Sequence, residues 1–122
     1  MEEKNILEIQ KATKIYNIGT SFFAGKNELV ALNEFNLKIP ESPASITTIA
    51  GESGSGKTTI ANLILGFIEL TSGNIRFGGK DINMMSKEEK INYRRNIQAV
   101  FQDPFGVYNP FYRISHIFEI VI

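Results

Sequence analysis

The chain has 122 residues, 43% hydrophobic and 21% charged, an ordinary globular composition for one small domain or part of a larger one, and not that of a disordered segment. Thirteen basic and thirteen acidic side chains leave no net charge, so the usual electrostatic case for a nucleic-acid or anionic-membrane partner is missing. The absence of cysteine excludes disulfides and thiolate metal sites, and no apolar run approaches the ~18 residues that cross a bilayer. Met1-Glu2-Glu3-Lys4-Asn5 is not a signal peptide, and the chain reads as soluble and cytoplasmic.

In chain order, the partial alternation of Ile6-Leu7-Glu8-Ile9-Gln10 predicts a strand, and Leu29 to Leu32 with Phe35 to Ile39 predict more, across a polar loop from Asn17 to Asn27. The first third should therefore be an antiparallel sheet, ended by Pro40 and Pro43, which cannot donate to a central ladder. Ser45-Ile46-Thr47-Thr48-Ile49-Ala50 is short and β-branched and predicts a buried strand, while Ile60, Leu63, Ile64 and Phe67 recur at helical spacing. Ser72-Gly73-Asn74 predicts a turn, and Asn74 to Phe77, Gly78-Gly79 and Lys80-Asp81-Ile82 predict a short hairpin. Ser86-Lys87-Glu88-Glu89 has capping-box spacing, which starts a helix running to about Arg95. A strand is expected from Ile97 to Phe101, a turn at Asn109-Pro110, and a last helix capped by Ser115. That helix, with Ile117, Phe118, Ile120, Val121 and Ile122, has little polar surface and needs burial against something outside the chain, so the sequence reads as cut.

Between the strand at Ser45–Ala50 and the helix lies Gly51-Glu52-Ser53-Gly54-Ser55-Gly56-Lys57-Thr58-Thr59, which fits the phosphate-loop pattern G-x-x-x-x-G-K-S/T. Glycines let a row of backbone N–H groups approach the β- and γ-phosphates at φ values that Cβ-bearing residues avoid. Lys57 adds a point charge over those phosphates, and Thr58 offers a neutral oxygen to Mg2+. The following helix points its positive end at the same anion. A Gly/Ser turn that happens to end in Lys-Thr is the bland alternative, and the strand-loop-helix context argues against it. The motif predicts a nucleoside-triphosphate site.

Four features in one order resemble the ATP-binding subunit of an ABC transporter. They are Tyr16 after the opening strand, the Walker A loop Gly51 to Thr59, the segments Thr71-Ser72-Gly73-Asn74-Ile75 and Gly78-Gly79-Lys80-Asp81-Ile82, and Val100-Phe101-Gln102-Asp103-Pro104, which matches the Q-loop. The resemblance covers nearly the whole chain. It implies an α/β fold, a P-loop NTPase core of the ABC type joined to an antiparallel β subdomain, with residues 1–103 as the ATP-binding core and 104–122 as the incomplete start of a helical subdomain. It also implies ATP and Mg2+ as ligands, a second ATP-binding subunit and transmembrane permease subunits as partners, a solute-binding protein as an indirect one, and no nucleic acid. The chain would then sit on the inner face of the cell membrane through the permease. Phe101-Gln102-Asp103-Pro104, Tyr108-Asn109-Pro110 and the long loop from Asn17 to Asn27 are similar to the oligopeptide and dipeptide importers, although importers of nickel or other small solutes resemble them closely.

Two departures from the family stand out. Pro40-Glu41-Ser42-Pro43-Ala44-Ser45 replaces a short Gly-Glu turn, and no signature motif of the Leu-Ser-Gly-Gly-Gln type, Walker B Asp, following Glu or switch His can be matched. The expectation is an ATPase as the full protein, and nucleotide binding without turnover by this chain. A nucleotide-binding module in its own right, or a soluble ABC protein of translation or DNA repair, are the alternatives.

The resemblance assigns Gln102 to Mg2+ and the attacking water, a role that a side-chain amide can fill with its oxygen and its NH2 group, against a solvated loop glutamine. Tyr16 would stack under adenine, with a plain edge-strand tyrosine as the competitor and Phe22 or Phe23 as substitutes. His116 has no ligand spacing around it, Glu52 is placed for its backbone rather than as a base, and Asp103 reads as a turn former before Pro104. Arg94 and Arg95 read as a solvated helix end. Phe105, Tyr108, Phe111 and Tyr112 either face the transmembrane partner or fold back on the core.

Overall fold

Leu7, Ile9 and Ala12 are all buried in one core, although strict alternation along a strand would turn Ala12 to the opposite face from Ile9. An extra residue resolves the conflict. In the computed structural model, which describes residues 4–18, 27–100 and 115, the first strand β1 (Asn5–Asn17) bulges at Lys11, whose φ of 47° lies in the left-handed region. The antiparallel partner β2 (Glu28–Pro40) does the same at Glu34, with φ 45°, so that Leu32 joins Phe35, Leu37 and Ile39 on the core side. The register records both events, as Ile9↔Leu37 is followed by Ala12↔Phe35 and then by Lys14↔Leu32. The first bulge adds a residue to β1 and the second adds one to β2, so they cancel. Side chains fill the gaps in the ladder: Lys11 N–H donates to Asn36 Oδ1 at 2.9 Å and Glu34 N–H to Thr13 Oγ1 at 3.1 Å.

β3 (Ser72–Phe77) lies antiparallel on the other side of β1, and β4 (Lys80–Asp81) closes a hairpin on it through Gly78-Gly79, giving the order β2-β1-β3-β4. Gly73 meets the Lys11 bulge. A Cβ there would stand 2.3 Å from the Lys11 carbonyl oxygen, and the residue has φ 89°, so only glycine fits. The predicted turn at Ser72-Gly73-Asn74 is thus a left-handed step within a strand, imposed by the neighbouring bulge.

Helix α1 (Lys57–Ile64) lays Ile60 and Leu63 on Leu7, Ile9, Ala12, Leu32 and Ile75, and burying each such aliphatic side chain stabilises by about 1.5–3 kcal/mol. It stops one turn early for the predicted pattern. Gly66, at φ 72°, donates to Leu63 O at 3.1 Å while Phe67 N–H donates to Asn62 O at 2.9 Å, the paired bonds of a Schellman ending. Phe67 therefore lies off the helix and is exposed. After a short 3-10 turn (Ile82–Met84), helix α2 (Lys87–Asn96) begins with the expected capping box: Glu89 N–H donates to Ser86 Oγ at 3.3 Å and Ser86 N–H to Glu89 Oε2 at 2.8 Å. Tyr93 fastens α2 to the rest. Its buried ring meets Phe77 edge-on at 5.1 Å and its hydroxyl donates to Ile64 O, and burial pushes the phenol up to about 12.

Two predicted strands do not form among the described residues. Residues 44–50 carry no strand and are exposed along their length, and so are residues 97–100 apart from half-buried Ile97. No strand among the described residues runs beside either segment, and β-branched residues alone do not make a strand without a ladder to join. Among the described residues no helix is long and apolar enough to cross a membrane.

Candidate nucleotide-binding site

Of the motif glycines, Gly56 is held by contact with the sheet. Gly56 precedes α1 with φ 90°, and a Cβ there would stand 2.6 Å from the Ala31 carbonyl oxygen of β2. The helix start is pressed against the sheet, with no side chain capping it and its first N–H groups unpaired within the helix. Ser55 N–H donates to Glu52 O at 3.2 Å, which turns the chain back toward Lys57.

Lys57 folds over this turn. Its Nζ donates to Gly51 O at 2.6 Å, to Ser55 Oγ at 3.1 Å and to Glu52 O. These three acceptors use all three hydrogens of the ammonium, so an incoming anion must exchange with at least one of them. Thr58 is exposed beside it and Thr59 half-buried. A neutral hydroxyl next to a lysine that can hold phosphate is a donor set compatible with Mg2+, which keeps most of its water and needs few protein oxygens.

Tyr16 reaches the same place from the far end of β1. A groove of about 570 Å³ is lined by Tyr16, by Leu29, Val30 and Ala31 of β2, and by Ser53, Gly54, Gly56, Lys57, Thr58 and Thr59. The lining thus combines an aromatic ring and apolar side chains with a glycine-containing turn and a cation. Tyr16 is 37% exposed, and Lys14 Nζ lies 5.1 Å from its ring centroid. Gly51 and Glu52 touch the groove only through Lys57, as acceptors for its ammonium. The Glu52 side chain is not part of the wall.

Sequence reading missed Leu29 and Val30. Leu29 and Val30 read as plain strand residues, and only the register Tyr16↔Leu29 and Ile15↔Val30 puts them beside the tyrosine. Their apolar side chains are 50% and 53% exposed, which is the signal that a sequence reading could not supply. Arg94 and Arg95 occupy the last turn of α2 and are exposed, as a helix end favours. Gln102, Phe22, Phe23, Asp103, His116 and the aromatic residues Phe105, Tyr108, Phe111 and Tyr112 lie outside the described residues.

Comparison with known proteins bears on the family. Residues 32–115 match the family model described as ABC transporter. The chain is 30% identical over 112 residues to the di/tripeptide transport ATP-binding protein DppF of Pseudomonas aeruginosa, covering 92% of this chain and 34% of that protein. It is 39% identical over 101 residues to the oligopeptide transport ATP-binding protein OppF of Streptococcus pyogenes, covering 82% and 32%. It thus spans about a third of the length of these relatives. Among solved structures it is similar to CbiO1 of Clostridium perfringens, part of the ABC transporter complex CbiONQ, with TM-score 0.63 and 30% identity over 86% of this chain and 37% of that one. A dimeric ATP-binding cassette in a post-hydrolysis state bound to ADP and Pi matches with TM-score 0.59 and 29% identity, over 73% of this chain and 35% of that one.

Proposed function

Because the chain belongs to the ABC transporter family, we propose that it is the nucleotide-holding part of an ATP-binding subunit that couples ATP hydrolysis to import of a small solute, peptides foremost. The observation that carries this reading is the shared groove: Tyr16 with apolar residues of β2, and Lys57 with residues of the phosphate-loop motif, line one space, as a base and its phosphates would require. Tyr16 stacks on adenine. Lys57 trades its loop carbonyls for phosphate oxygens, and the free N–H groups at the start of α1 take the remaining negative charge. Thr58, with Gln102, would hold Mg2+, which when bound neutralises part of the charge on the β- and γ-phosphates. Positioning and charge stabilisation are then the chain's contribution to phosphoryl transfer.

Partners follow from the same proposal. A second ATP-binding subunit completes the catalytic unit, permease subunits receive its movement at the inner face of the membrane, and a solute-binding protein acts through the permease. The dimeric cassette and the transporter-complex member among the structural neighbours support that arrangement. Phe101-Gln102-Asp103-Pro104 and the peptide-transport relatives favour peptides over other small solutes.

The test is ATP-Mg2+ binding by calorimetry and hydrolysis by phosphate release, with Lys57→Ala beside the parent chain. Binding should fall at least about tenfold in the variant, because the phosphates then lack a charge-assisted hydrogen bond, and neither chain should turn over. Turnover that depends on Lys57 would show that the chain contains a general base the proposal does not assign. Unchanged binding in the variant would remove the phosphate site itself.

A further inference from the structure

Lys14 has no part in the phosphate turn, yet the structure ties it to the nucleotide groove. Its ammonium lies 5.1 Å from the Tyr16 ring centroid and donates at 2.7 Å to the carbonyl oxygen of Glu69, on the connection between α1 and β3. Lys14 is not among the residues lining the groove, whereas Tyr16 is. The cation stands over one face of the ring, and a flat ring has a second face to offer. We propose that Lys14 is a positioning residue for nucleobase recognition, clamping the Tyr16 ring from one face and polarising it toward the cation.

The physical case has two parts. Tyr16 sits near the end of β1 and is partly exposed, so without a neighbour its ring would sample several rotamers and a base would have to order it on binding. Lys14 is itself held by Glu69 O, so the clamp is anchored in the loop that leaves α1 rather than in solvent. A cation over one face also draws π-density toward itself, which lowers the repulsion that the free face offers to the π-cloud of a purine. Neither part touches phosphate.

This role rests on the reading of Tyr16 as the base platform, and the experiment separates the two. The chain and its Lys14→Met, Lys14→Arg and Tyr16→Ala variants are titrated by calorimetry with ATP and with inorganic tripolyphosphate, which carries the phosphates without a base. Lys14→Met should weaken ATP binding by about two- to fivefold, the effect of removing an exposed cation–π interaction, and leave tripolyphosphate unchanged. Lys14→Arg, which keeps a cation for the ring, should bind ATP as the parent does. An equal loss for both ligands in Lys14→Met would make Lys14 a structural tether and overturn the proposal, as would no loss at all. If Tyr16→Ala weakens ATP alone while Lys14→Met does not, the platform stands and only the clamp fails. If Tyr16→Ala leaves ATP affinity intact, the platform and the clamp fail together.

Discussion

Residues 28–40 and residues 45–50 are both rich in apolar and β-branched side chains, yet the first stretch is hydrogen-bonded to β1 and the second runs outside any sheet, with Ile46 98% exposed. The difference lies in what each can pair with. β2 has a strand alongside it after a loop, and its bulge at Glu34 answers the one at Lys11, so Leu32 and Leu37 both find the core. Residues 45–50 have no strand alongside them among the described residues, so their β-branched side chains meet water. Strand propensity describes how well a residue fits a half-buried ladder, and it has no effect where the ladder is missing.

The most direct way to break this comparison is to shorten one isoleucine in each region. Ile75→Ala, at 1% exposure in the sheet, should cost about 2–5 kcal/mol in chemical denaturation, the range for emptying a packed aliphatic site. Ile46→Ala should fall within about 0.5 kcal/mol of the parent chain. Similar losses at both sites would mean that residues 45–50 are buried in solution.

A smaller effect is expected from glycines that separate the sheet from the phosphate turn. Gly73→Ala and Gly56→Ala both force a Cβ against a backbone oxygen at positive φ, at 2.3 and 2.6 Å. Each should destabilise by more than about 1 kcal/mol, the gain such a substitution brings where the backbone accepts it. Only Gly56→Ala should also weaken ATP binding, because of these two glycines only Gly56 lines the groove. Loss of affinity in Gly73→Ala, measured on folded protein, would show that the bulged sheet and the site act as one unit.

Smallest is the contribution of the α2 start, a third region whose order is local. Glu89 is held down from 4.5 to about 2, first by its hydrogen bond from Lys80 and then by the Ser86 N–H. A depressed carboxyl stabilises the fold above its unfolded value and loses that contribution as pH falls through its folded one. The α2 amide signals in NMR should therefore loosen between pH 4.5 and about 2, and Glu89→Gln should abolish that step while leaving the sheet unaffected. A titration of α2 unchanged by Glu89→Gln would place its pH dependence elsewhere.

The amino-acid sequence alone determined the features whose hydrogen bonds close within a few residues. The capping box at Ser86 and Glu89, the Gly78-Gly79 hairpin and the Gly51 to Thr59 turn are of this kind, because donor, acceptor and required φ all lie in one short window. Tertiary structure decided what depends on distant strands: that Ala12 faces the core through a bulge, that Gly73 steps left-handed inside β3, and that residues 45–50 join no sheet. It also decided the composition of the groove. Tyr16, Leu29 and Lys57 meet only because the β1–β2 register and the contact of Gly56 with Ala31 O bring three separate segments together, and a register is a property of two strands that neither strand's sequence contains.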